Sequence, residues 1–314
     1  MSVTAAVAVP GAVGSAPAVP GGTQRKRDSV TGWMYVSPAV LLFITFILAP
    51  FLAAIALCLY SWDLLTPAKF VGLDNIRNLF DEPLVWKTLG NTFIFAAGSI
   101  VTHLVGGLLL AIGVNRVTNK VFGYLLRTAI FFPFLISWAA VALLWKYILD
   151  PTFGLVAYYL GKIGVVAPDW FNDTHWALPG IIGIDFWHTI GFTFIVMLAG
   201  LQTVPKTLLE AARTDGANAW QIFWRITLPL MSPTILFATV ITFLGAFQIF
   251  EPMQIITGGG PEDSTTSIVM YLYQVAFRQF SMGYASTIAI LVFLIMMVVT
   301  LLQFWGSRRW VYEE

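Results

Sequence analysis

"EAARTDGANAWQIFWRITLP", Glu210–Pro229, is a polar island in a chain that is apolar from about residue 33 onward. Glu210, Arg213, Asp215, Asn218, Gln221 and Arg225 fall within twenty residues, between long runs that carry almost no charge. Local chemistry predicts two short helices here. Thr203 can cap the first, with Pro205 in its opening turn, where a missing N–H costs nothing. That helix is expected to run through Glu210, Ala211 and Ala212 to about Thr214. Asp215-Gly216 is a turn pair, glycine permitting a positive φ. Asn218 followed by Gln221 reads as a capping box that opens a second helix carrying Trp220, Ile222, Phe223 and Ile226. Pro229 and Pro233 are expected to end it and start the next apolar run. Ala211 and Ala212 allow close approach by another protein, and Trp220, Phe223 and Trp224 can anchor the hairpin. Such a unit suits a knob that docks into a cleft.

Of the 314 residues, 58% are hydrophobic and 11% charged, and mean hydropathy is +0.80. Soluble domains carry about 25% charged residues, so the chain reads as an all-α polytopic membrane protein. A net charge of +1 gives no case for nucleic acid as a partner. The single cysteine, Cys58, excludes an internal disulfide and a cysteine-rich metal site. Residues 1–28 read as a disordered cytoplasmic tail. The first 24 are mostly Ala, Val, Pro, Gly, Ser and Thr with no long apolar core, and Arg25, Lys26 and Arg27 follow them rather than preceding an apolar stretch.

Apolar runs of about 20 residues cross a bilayer as helices, which satisfy their own backbone there. Six are expected, at about 33–60, 89–113, 124–148, 178–200, 232–256 and 284–306, within a transmembrane region 29–314. The polar hairpin, 203–229, lies between the fourth and fifth. With the N-terminus inside, the inner segments hold Arg25, Lys26, Arg27, Arg116, Lys120, Arg127, Lys206, Arg213, Arg225, Arg308 and Arg309. The outer segments and span ends hold Lys69, Arg77, Lys87, Lys146, Lys162 and Arg278. This bias places both termini and the hairpin in the cytoplasm. "FVGLDNIRNLF", residues 70–80, puts Phe70, Leu73, Ile76, Leu79 and Phe80 at helical spacing and predicts a short amphipathic helix along the outer interface. The loop 149–177 holds Pro151, Gly154, Gly161, Gly164 and Pro168, so turns and short helices are expected.

Glu210-Ala211-Ala212, Asp215-Gly216-Ala217 and Ile226-Thr227-Leu228-Pro229 resemble the EAA loop of ATP-binding-cassette import permeases, with a glycine four residues after the second alanine and a closing leucine-proline. The resemblance covers roughly residues 33–306 and implies the type I importer permease fold. In that family the loop forms coupling helices seated in a cleft of a cytoplasmic ATPase, which makes Glu210, Ala211, Ala212, Asp215 and Gly216 the expected coupling residues. "FLGAFQIFEPMQIITGGGPEDST", residues 243–265, resembles the end of the fifth span in sugar importers of the maltose and glycerol-phosphate type. Its glycine run is physically a sharp turn; no Lys-Ser/Thr follows, so it is not a phosphate-cradling loop. The resemblance implies a bacterial inner-membrane importer of a sugar. The expected partners are a second homologous permease, two ATPase subunits, an extracytoplasmic solute-binding protein, the sugar and membrane lipid. No cofactor is expected on this chain, ATP and Mg belonging to the partner ATPase.

Ionisable groups inside spans are costly and face a cavity or one another. Asp185, His188 and Phe192 share one face of the fourth run, with Thr189 beside them. Carboxylate, imidazole and ring make a sugar-binding wall; alternatively, Asp185 and His188 pair near the outer interface. In the fifth run Gln248 and Glu251 precede Pro252, which frees backbone carbonyls as transporters exploit near a substrate path; Glu251 can equally be solvated at the surface. Alignment with maltose-type subunits implies substrate contacts at Asp185, His188, Thr189 and Phe192, near Phe134, and near Gln248 and Ile249. The pattern departs at Ala246 and Ile249, where the maltose subunit offers asparagines. Acid groups without Arg or Lys argue for a neutral mono- or oligosaccharide over a phosphate ester. Trp138, Trp145 and Lys146 read as interfacial anchors, His103 as a packed polar residue and His175 as solvated; three scattered histidines support no metal site. Two rivals differ in class. A stand-alone ion-coupled transporter leaves the capped hairpin unexplained. An intramembrane enzyme lacks a nucleophile elbow, HExxH or carboxylate pair.

Overall fold

The computed structural model describes residues 22–311, with side-chain surroundings from Trp33. The disordered tail expected over 1–28 lies outside the described residues as far as residue 21; from Gly22 the backbone is helical. Gln24, Arg25, Lys26 and Arg27 are good helix formers, and extending an existing helix avoids the cost of nucleating one.

The chain divides between Ala53 and Ala54 into two compact units. Among the described residues four helices are long and apolar enough to cross a membrane: Trp33–Leu57, Pro83–Asn115, Ala177–Thr203 and Met282–Ser307. Two further pairs, Lys120–Leu135 with Trp138–Ile148 and Ala219–Leu230 with Ser232–Phe247, are bent by 97° and 65°, and make six spans if each pair counts once. Loops and caps follow local rules. Glu82 accepts from Leu84 N at the start of the second span, and Asn119 accepts from Val121 N and Phe122 N at the start of the third.

Where one membrane-crossing helix was expected over 124–148, the chain breaks. Lys120–Phe131 passes into a 3-10 turn, Phe132–Leu135, that contains Pro133. Ile136 is extended, and Ser137 caps a new helix, Trp138–Ile148, by accepting from Ala140 N. Proline removes a ladder donor and Ser137 offers the backbone a substitute, so the two together stop one helix and start another. The fifth run, expected as one run over 232–256, is helical over Ser232–Phe247, is interrupted at Gln248–Phe250 and resumes at Glu251. Three-residue bonds from Gln248 N to Gly245 O and Ile249 N to Ala246 O close it, and Pro252 falls in the first turn of the resumed helix, where its missing N–H costs nothing. A π turn, Met253–Thr257, follows and reverses at Gly258 and Gly259, both at positive φ.

Pro229 does not end its helix. A π turn, Phe223–Thr227, is followed by one residue and then the proline, and the helix continues through Leu228–Leu230 before bending at Met231. The first span repeats this order: π turn Ile44–Leu48, then Ala49, then Pro50 inside Ala49–Leu57. Widening the turn just ahead of a proline relieves its clash with the carbonyl four residues back, so the ring is absorbed.

After the first span, a two-residue strand pair sets Tyr60 opposite Phe70 and Ser61 opposite Lys69. Its loop is closed by Asp63, whose carboxyl is held below the usual range by the Thr66 N–H and hydroxyl. The interfacial helix is Asp74–Asp81, shorter than the expected 70–80, and its inner face differs: Asn75 and Leu79 are buried while Phe70 and Phe80 are exposed. Asn75 Nδ2 donates to Cys58 O and Tyr60 O, 2.9 and 3.0 Å away, so a polar residue sits where an apolar one was expected. In the loop 149–177 one short helix forms, Leu155–Lys162.

The second, fourth, fifth and sixth spans share one core containing Phe95, Ile181, Phe247 and Ile288, with Met253 and Ile268 from the returning segment. That segment is tied by side chains of neighbouring spans to its own backbone. Asn91 Nδ2 donates to Asp263 O and Thr266 O at 2.7 and 3.1 Å, Lys146 Nζ to Ile255 O at 3.0 Å, and Lys87 Nζ to Glu262 O. In return Ile268 N donates to Thr92 Oγ1 at 2.9 Å.

Candidate functional site

A cavity of about 330 Å³ opens between the second, third, fourth and fifth spans. The second span contributes His103, and the break in the third contributes Phe134 and Trp138. The fourth brings Asp185, Thr189, Phe192 and Thr193; the fifth brings Ile241, Thr242, Gly245, Ala246 and Ile249. No Lys or Arg is among these lining residues.

The polar wall is a network between two spans. Asp185 and His103 are 7% and 2% exposed, so each must find partners within the protein. Ser99 Oγ donates to Asp185 Oδ2 at 2.7 Å. His103 Nδ1 lies 2.7 Å from Ser99 O, which can only accept, so Nδ1 carries a proton. His103 Nε2 lies 2.6 Å from Thr189 Oγ1 and 4.0 Å from Asp185 Oδ2, and the Thr189 hydroxyl is also 2.9 Å from Asp185 O. Opposite, Phe134 and Phe192 stack with centroids 5.8 Å apart and planes at 29°. Polar atoms on one side and aromatic faces on another let the cavity hold a polyhydroxylated solute: hydroxyls bond to the first, and apolar C–H faces lie on the second.

Of the eight residues expected along a substrate path, the cavity gathers five: Phe134, Asp185, Thr189, Phe192 and Ile249. His188 is not among them. It is 3% exposed, its Nε2 is 2.9 Å from Ile136 O, and its ring meets Trp138 edge-on at 4.2 Å. No hydrogen bond or ion pair joins it to Asp185 among the described residues; the third-span break presents the carbonyl that it bonds. Gln248 is exposed, with Nε2 3.8 Å from Met296 Sδ, and Glu251 is exposed beyond Phe247; neither is on the cavity wall, although Ile249 between them is. Sequence reading missed His103 as a lining residue, and took Trp138 for an interfacial anchor. Ser99 and His103 are four apart, as are Asp185 and Thr189, and two polar stripes on successive spans are the signal that would have paired them.

At one end of the bundle stands the hairpin. Its first helix is Lys206–Thr214, with Pro205 at the cap position; Thr203 instead donates to Gly200 O at 2.9 Å and closes the preceding span. The turn is a Schellman motif: Ala217 N bonds to Ala212 O at 2.9 Å and Gly216 N to Arg213 O at 3.1 Å, with Gly216 at φ +81°. The reciprocal Asn218–Gln221 capping box starts the next helix, both bonds at 2.9 Å. Glu210, Ala211, Asp215 and Gly216 are exposed, and Ala212 is half-buried. Ala211, Ala212 and Asp215 border a groove of about 360 Å³ with Leu208, Arg225, Ile226, Pro229 and Leu230. Trp220, Phe223 and Trp224 form a ring cluster on the second helix, and Trp220 is 70% exposed.

The family of binding-protein-dependent transport system inner membrane components matches residues 103–312. The lactose transport system permease protein LacF of Rhizobium radiobacter is 34% identical over 292 residues, 91% of this chain and 96% of LacF. The sn-glycerol-3-phosphate transport system permease protein UgpA of Agrobacterium fabrum is 29% identical over 279 residues, 88% of this chain and 94% of UgpA. Among solved structures, a bacterial alginate ABC transporter in complex with an alginate pentasaccharide-bound periplasmic protein aligns with a TM-score of 0.81 and 26% identity, covering 91% of this chain and 96% of that one.

Proposed function

The chain belongs to the family of binding-protein-dependent transport system inner membrane components, and from that premise we propose that it is a permease subunit of an ATP-driven sugar importer. The observation that carries the proposal is the exposed Schellman hairpin: its small residues border an open groove, and Gly216 at φ +81° makes the tight turn between its two helices. A knob of this shape transmits movement from a separate ATPase.

On this reading the chain pairs with a second, similar permease, two ATPase subunits and an extracytoplasmic solute-binding protein. It binds no nucleotide; ATP and Mg are held by the ATPase. It lies in a bacterial plasma membrane with both termini and the hairpin in the cytoplasm, as the Lys and Arg bias indicates. Closure of the ATPase dimer moves the hairpin and switches access to the cavity from inside to outside. The two states exist without nucleotide, which shifts their populations through its unequal affinity for them.

The cargo is a neutral sugar. Relatives are named for lactose and for sn-glycerol-3-phosphate, and the cavity lining favours the first kind of solute. It sets a carboxylate, an imidazole and threonine hydroxyls against aromatic rings without a cation to receive a phosphate. One observation favours a second reading. The buried Asp185–His103 pair is also what a proton-coupled transporter would place in its spans. Uptake in proteoliposomes separates the two: transport that needs the ATPase and ATP supports the importer, and transport that follows a proton gradient without an ATPase overturns it.

A further inference from the structure

The structure assigns His188 a positioning role: we propose that it latches the break in the third span and so sets the aromatic wall of the cavity. The inference rests on the reading of that cavity as the solute route. In an unbroken helix Ile136 O would receive the Ala140 N–H, but Ser137 Oγ takes that donor at 3.4 Å. The Ile136 carbonyl, on a half-buried residue, would then have no helical partner, and the more it is shielded from water the more that costs. His188 Nε2 supplies the bond at 2.9 Å from the fourth span. Because a carbonyl only accepts, Nε2 must carry the proton and donate. The other nitrogen, Nδ1, is buried with no hydrogen-bond partner among the described residues, so the ring serves this one bond.

Neighbouring turns of the fourth span grip the same break. A Cβ built on Gly191 would stand 2.7 Å from Ile130 O and from Phe131 Cα, so the two backbones touch there. One residue on, Phe192 stacks on Phe134. His188 itself holds Trp138 edge-on. Phe134 and Trp138, the two third-span residues of the cavity wall, are thus set from either side of Ile136. Of these fourth-span grips only the His188 bond is polar and directional, so it sets where the break made by Pro133 and Ser137 sits against the fourth span.

The test reads the wall without needing the cargo. Thr242 lines the cavity on the fifth span; Thr242→Cys with Cys58→Ser gives one thiol in the chain. Its rate of reaction with a charged methanethiosulfonate reagent is measured on the assembled transporter in native membrane vesicles. His188→Gln keeps an amide N–H at the distance of Nε2 from Cβ, whereas His188→Asn is one bond short and His188→Leu has no donor. The expected result is an unchanged rate for His188→Gln and a rise of about fivefold for His188→Asn and His188→Leu, the factor set by one net hydrogen bond. Equal rates for His188→Asn and His188→Gln overturn the latch, as does a wild-type rate for His188→Leu. If His188→Leu fails to insert, the Asn and Gln pair decides alone. Normal sugar uptake by Asp185→Ala would remove the route reading and leave the accessibility comparison standing.

Discussion

Ser99 donates a hydrogen bond of 2.7 Å to Asp185, joining the second and fourth spans inside the membrane region. The bond orients a carboxylate that is otherwise surrounded by protein and leaves its other oxygen 3.4 Å from the Thr189 hydroxyl. Interhelical hydrogen bonds in membranes average about 0.6 kcal/mol and reach roughly 2. The contact therefore guides position more than it stabilises the bundle.

Asp185→Ala is expected to lower sugar uptake about tenfold, the effect of roughly 1.4 kcal/mol of lost binding, while leaving association with the ATPase intact. Uptake assays and co-purification check the two halves separately. Wild-type transport would take Asp185 off the solute route.

Gly216→Val is expected to abolish uptake and ATPase association with normal membrane insertion. A β-branched residue at φ +81° carries strain of about 1–3 kcal/mol, and the cheapest relief is to unwind the Schellman turn. Undiminished co-purification with the ATPase would count against a coupling role for the hairpin.

Asn75→Ala should lower the thermal midpoint of the purified chain in detergent. It strips the donor from two backbone carbonyls, Cys58 O and Tyr60 O, and a buried acceptor left alone costs on the order of 1–3 kcal/mol. A midpoint equal to wild type would mean that water replaces the amide there.

Glu251→Gln is expected to leave uptake within about twofold, as an exposed substitution away from special contacts changes little. Glu251 is outside the cavity lining and lies past the end of the fifth helix. A large loss of transport in the same assay would place the route elsewhere.

The helical class and the capped hairpin were legible because they rest on local rules: run length, a turn glycine and the Asn218–Gln221 box. The fourth-span face was legible in part, since Asp185, Thr189 and Phe192 share a helical stripe and do line one wall. What escaped was set by tertiary partners. His188 lies within that stripe, yet it turns to Ile136 O because a neighbouring span happens to break there. Pro229 looked like a stop, and the π turn before it was invisible to a 3.6-residue pattern. Asn75 holds a buried place because two carbonyls of the preceding strand and turn await it, and nothing in its own neighbours announces that.

The segment returning from the fifth span is gripped by Lys87, Asn91 and Lys146 through its carbonyl oxygens. Every residue type carries that acceptor, so the identities of Ile255, Glu262 and Asp263 are not what the anchors recognise. Mutation can then change the exposed Glu262 side chain while the grip of Lys87 stays put, whereas the Asp263 carboxyl also accepts from Thr266 Oγ1. Glu262 can therefore vary where Asn91, which holds two carbonyls at once, cannot do so without losing both bonds.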